Sequence, residues 1–160
     1  MAASSAKFFG TAAIIGGALR AANSFAPAFL SAPQLVLSYA ATDIALLIAL
    51  VGLWRITGPS LSWNGAYSIM LAGIGLVIIR VSALYDSTFY IFGAAITVIS
   101  MANVASSMLW RHEPSTLAAW LWLAAFGFGM SVILFSWGFL AAGIAFGLGF
   151  VAQGVVMWRG

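Results

Sequence analysis

Of the 160 residues, 64% are hydrophobic and 6% are charged, where a soluble globular domain carries roughly 25% charged residues. Such a chain cannot cover a water-facing surface and reads as an all-α integral membrane protein, one polytopic domain over residues 1–160. The lack of cysteine excludes disulfides and thiolate chemistry, and a net charge of +3 without any basic run gives no reason to expect nucleic acid as a partner.

A membrane span needs about 20 residues at about 1.5 Å rise each. Apolar stretches of that length recur at about 8–25, 35–54, 64–84, 88–110, 117–136 and 139–158, which predicts a bundle of six transmembrane helices arranged as three helical hairpins with short loops. The first, MAASSAKFFGTAAIIGGAL, has the short polar lead, single lysine and apolar run of a signal peptide, but is expected to be retained as a span. Pro27 and Pro33 break the chain before the second segment, and Gly58, Pro59 and Asn64 break it before the third. A polar turn at residues 85–87 separates the third and fourth. RHEPST precedes the fifth, with Ser115 or Thr116 placed to cap it. The fifth and sixth meet at Trp137–Gly138.

The second, fourth and sixth segments end in Leu53–Trp54–Arg55, Leu109–Trp110–Arg111 and Met157–Trp158–Arg159. Tryptophan prefers the headgroup level and arginine the aqueous side, so each hairpin finishes on an interfacial anchor. The rest of the hairpins do not align, and independent anchors account for the recurrence better than duplication. With six spans, Lys7, Arg55, Arg111 and Arg159 fall on one side together with His112 and Glu113, and the opposite loops hold only Asp86. The positive-inside bias then places both termini in the cytoplasm of a cell (inner) membrane protein; a five-span chain would strand Arg159 outside.

Three charges remain within spans. By helical rise, Asp43 lies about 18 Å above the end marked by Arg55, Arg20 about 20 Å above Lys7, and Arg80 about 25 Å above Trp63. All three sit in the outer half of a hydrocarbon core about 30 Å thick. A lone charge there costs a few kcal/mol, so it should face the bundle and be paired. Arg20 and Asp43, nearly level on adjacent antiparallel helices, are expected to pair, with Arg80 sharing Asp43 or reaching Asp86. Asn23 and Ser24 share a face with Arg20, Tyr39 precedes Asp43 by one turn, and Tyr85 and Tyr90 flank Asp86. The cluster either fixes helix register, with an arginine snorkelling to the headgroups, or forms a polar pocket open to the outside.

Gly93, Thr97, Ser100, Asn103 and Ser107 make one small, polar face on the fourth segment, suited to close packing or, less simply, to a solute path. Gly143 and Gly147 form a GxxxG helix-contact face in the sixth, within the chain or in a homo-oligomer or larger membrane complex. One histidine, one loop-side lysine and no phosphate-binding loop leave no haem ligation, metal cluster, triad, Schiff base or nucleotide motor.

Two functional readings follow. In the first, the chain binds or transports a small anionic or amphiphilic molecule through Arg20, Asn23, Tyr39, Asp43, Arg80, Tyr85, Asp86 and Tyr90. No inverted repeat or discontinuous helix pair of the transporter kind accompanies it. In the second, it is a structural or accessory subunit of a larger membrane complex, packing lipid, quinone or pigment. A membrane-embedded isomerase or cyclase using Asp43 as its catalytic acid comes third. No metal is expected, and no cofactor beyond a bound lipid or other lipophile; the lipid bilayer is the one partner that composition requires.

Overall fold

The computed structural model describes residues 3–85, 88–112, 114–131 and 136–160. Within them the chain is helical throughout: α1 (Ala3–Asn23), α2 (Ala32–Ile56), α3 (Trp63–Leu84), α4 (Tyr90–Trp110), α5 (Thr116–Met130) and α6 (Gly138–Arg159). Four of these, α2, α3, α4 and α6, are long and apolar enough to cross a membrane, and α5 is a shorter apolar helix of 15 residues.

Local chemistry sets the ends. Pro33 stands in the first turn of α2, where its missing N–H costs nothing. The Gln34 side chain accepts from the Ser31 backbone N–H at 2.9 Å. Ser62 caps α3 by accepting from the Gly65 N–H at 3.2 Å. After α4, His112 adopts a left-handed φ of 56°, which stops the helix. The six expected spans are therefore met in part, since neither α1 nor the fifth helix is among the four. The fifth helix is described over Thr116–Met130, where the Ser131 hydroxyl donates to the Phe128 carbonyl at 2.8 Å, and the part of the expected span at 132–135 lies outside the described residues.

The helices form a ring. α1 packs on α2 and α6, α5 joins α6 to α4, and α4 packs on α3. The last seam, α2 against α3, is the thinnest. Small residues make the two closest contacts. Between α1 and α6, a Cβ on Gly10 would lie 2.7 Å from the Gly154 carbonyl, and one on Gly17 would overlap the Gly147 carbonyl. Between α3 and α4, a Cβ on Gly93 would lie 2.8 Å from the Gly75 carbonyl. Leu46, Leu53, Ile69, Met101, Met108, Trp122 and Phe150 fill the centre, with Trp122 and Phe150 edge to face at 5.2 Å.

The two ends differ chemically. At one, Lys7 lies 5.3 Å from the Trp158 ring and Arg55 lies 5.9 Å from the Phe9 ring, gathering the start of α1 with the ends of α2 and α6. The exposed Trp54, Trp110 and Trp158 belong to this Trp–Arg end. Arg20, Asp43 and Arg80 lie farther along α1, α2 and α3 from this end.

Candidate functional site: a charge cluster on three helices

Helical phase decides what each polar residue of α1 and α2 touches. Successive residues of a helix point about 100° apart. Thr42 therefore faces α1 while Asp43, its neighbour, faces α3. On the α1 side, the buried Asn23 donates through Nδ2 to the Thr42 hydroxyl at 2.8 Å and accepts from the Ser38 hydroxyl at 2.6 Å. Thr42 in turn donates to the Ser38 carbonyl at 2.8 Å, and the Tyr39 hydroxyl reaches the Asn23 carbonyl at 3.4 Å. Asn23 and Tyr39 thus tie the end of α1 to the first turns of α2.

On the α3 side, Arg80 grips Asp43. Its Nε and Nη2 both donate to Asp43 Oδ2, at 2.8 and 2.5 Å, forming the one ion pair among the described residues. The side chains are 27% and 16% exposed, so the pair is largely withdrawn into the bundle. The remaining N–H groups of the guanidinium make no hydrogen bond among the described residues.

Arg20 does not pair with Asp43, contrary to the sequence expectation. Helical phase turns it toward α6. There Gly143 provides the space: a Cβ on Gly143 would lie 3.2 Å from Arg20 Nη2 and 2.5 Å from Ser24 Oγ. Arg20 makes no hydrogen bond or ion pair among the described residues, yet it stays within electrostatic reach of Asp43 and Tyr39. The Ser24 hydroxyl one turn on is buried and also lacks a partner there. Three helices thus bring together two arginines and one aspartate, with the aspartate taken by one arginine only.

Tyr85 and Tyr90 lie on the surface, and neither side chain bonds to the cluster among the described residues. Asp86 lies outside the described residues. The Gly143/Gly147 face is spent inside the chain: it receives Gly17, Ala21, Arg20 and Ser24 of α1, whose approach leaves no room there for a second protomer.

The small, polar face of α4 is mainly a packing face. Gly93, Thr97, Ser100 and Ser107 are buried, and Thr97 donates to the Gly93 carbonyl at 2.8 Å. Ser107 accepts from the Ser62 N–H at 3.0 Å. Asn103 departs from that face and helps line a polar notch of about 420 Å³ between α3 and α4, with Asn64, Tyr67 and Ser106. Trp110 also lines it, so it belongs to the Trp–Arg end and is separate from Arg20 and Arg80.

Sequence reasoning missed Ser38 and Thr42, although their four-residue spacing on a helix facing Asn23 was a usable signal. It also missed an apolar groove of about 470 Å³ along the thin α2–α3 seam, since a groove arises from the spacing of two helices and neither sequence alone encodes it. No protein-family model, no curated protein and no solved structure matches this chain.

Proposed function

We propose that the chain is a six-span membrane protein, its Trp–Arg end cytoplasmic, that binds a small anionic or amphiphilic molecule at the Arg20–Asp43–Arg80 cluster. The observation that carries this reading is Arg20. Asp43, which would neutralise it, is engaged by Arg80, so among the described residues the cluster holds one positive charge in excess. An excess charge at membrane depth is costly, and residues of this kind mark ligand or ion pathways when no protein partner is present. Gly143 lets Arg20 and Ser24 pack closely against α6, which sets the buried Ser24 hydroxyl, a neutral hydrogen-bonding group, beside the guanidinium. Anion capture by a guanidinium flanked by a hydroxyl is within the ordinary chemistry of both groups.

Titration of the full chain in an uncharged detergent with octanoate and with octanol tests this. Octanoate should bind at least tenfold more tightly than octanol. Arg20→Gln should erase that difference while the protein stays monodisperse, and Arg20→Lys should retain most of it. Equal affinity of wild type and Arg20→Gln for octanoate would refute the assignment.

A further inference from the structure

Three helices meet at one level near the Trp–Arg end. A Cβ on Gly52 of α2 would strike the Phe9 ring of α1 and lie 2.9 Å from Met157 Cε of α6. From that contact all three helices run on toward the same end, α2 and α6 toward their C-termini and α1 toward its N-terminus. Lys7 comes two residues beyond Phe9, Arg55 three beyond Gly52 and Arg159 two beyond Met157. By helical rise their backbones stand about 3–5 Å past the contact, within a single turn of one another. All three cations are exposed. Aromatic rings hold two of them, Lys7 at 5.3 Å from the Trp158 ring and Arg55 at 5.9 Å from the Phe9 ring. A cation held this way keeps its N–H groups for a second partner.

Little among the described residues offsets this charge. None of the three side chains forms an ion pair there. The one described acid, Asp43, lies about 18 Å from Arg55 along α2, and Glu113 lies outside the described residues. The helix dipoles weigh little: the carbonyl ends of α2 and α6 bring about half a negative charge each and the amide end of α1 about half a positive one, against three full charges. The geometry points to a binding site for the phosphate of an anionic phospholipid, held by Lys7, Arg55 and Arg159. It rests on the membrane-spanning reading above and uses none of the Arg20 cluster. Charge and place select the occupant together. Phosphate oxygens accept strong hydrogen bonds from ammonium and guanidinium groups. Trp54 and Trp158, both about half exposed, mark this as headgroup level, where basic residues attract anionic lipid. Exposed Phe8 lies beside Lys7 and exposed Val51 one turn inward of Arg55, apolar surface for acyl chains that a free phosphate lacks.

Arg111 gives the test its control. It is an exposed cation at the end of α4, which packs on α3 and α5 and so stands apart from the junction. The full chain is placed in phosphatidylcholine vesicles at pH 7 with a trace of spin-labelled phosphatidylglycerol or spin-labelled phosphatidylcholine, and the motionally restricted fraction is read by electron paramagnetic resonance. Wild type should restrict phosphatidylglycerol about fivefold more than phosphatidylcholine. Lys7→Gln, Arg55→Gln and Arg159→Gln should each lower that preference about twofold, and the triple variant should abolish it. Each single variant changes one exposed side chain, so the assignment is tested even if the triple variant does not assemble. Arg111→Gln should leave the preference unchanged. A loss with Arg111→Gln as large as with the junction variants overturns the site in favour of diffuse surface charge. A preference that survives the three single variants also overturns it. Glycerol phosphate in the aqueous phase should not displace the labelled lipid; displacement would show that the cations take free phosphate rather than a lipid headgroup. Arg20→Gln keeps all three cations and should keep the preference, so this result and the octanoate result stand or fall separately.

Discussion

At the scale of single residues, the Asp43–Arg80 pair and the solitary Arg20 behave differently, and the difference is measurable. Removing one partner of a withdrawn ion pair leaves the other charge uncompensated, whereas removing both leaves little to compensate. Asp43→Asn should therefore lower stability by roughly 3 kcal/mol. The double variant Asp43→Asn/Arg80→Gln should recover most of that loss in thermal or SDS unfolding of the purified protein. A double variant no more stable than Asp43→Asn would mean that the pair does not hold α2 to α3. Sequence alone made the cluster legible because 1.5 Å of rise per residue converts position into depth. It did not make the pairing legible. Arg20 and Arg80 were both within reach of Asp43 by depth, and only the phase of each helix against its neighbours directs Asp43 to α3 and Arg20 to α6.

Between elements, small residues rather than large ones set the contacts. Apolar side chains gain nothing by leaving lipid for another helix, so association in a bilayer depends on close backbone approach and hydrogen bonds. Gly17 and Gly147 stand almost backbone to backbone, and the carbonyls they would strike cannot rotate away as a flexible side chain could. Gly17→Val should cost about 1–3 kcal/mol of unfolding free energy. Gly73→Ala, in open surroundings, should be neutral or stabilising by up to about 1 kcal/mol from helix propensity. Equal effects of the two substitutions in thermal melts would show that the α1–α6 contact is looser than its geometry implies. The GxxxG pattern announced a contact face, yet nothing in the spacing of Gly143 and Gly147 said whether the partner was α1, another helix or another copy. That answer comes from matching Gly10 and Gly17, which the sequence shows equally well but does not connect to α6.

For the whole molecule, composition and hydropathy already implied a bundle of helices, because each apolar stretch is long, lacks polar alternation and ends on a break with a physical cause. Less legible was the ring order, in which the first and last helices meet while the consecutive pair α2 and α3 barely do. Hydropathy carries no term for which helices touch. That weak seam is where the apolar groove opens and where Arg80 reaches across to Asp43.

The central claim, that an unneutralised Arg20 holds an anion in the cluster, is tested most directly by native mass spectrometry of the full chain extracted in an uncharged detergent without added lipid. The account predicts a stoichiometric adduct that fragments as an acid and is absent from Arg20→Gln. A bare chain, an uncharged adduct, or the same acid retained equally by Arg20→Gln would contradict it.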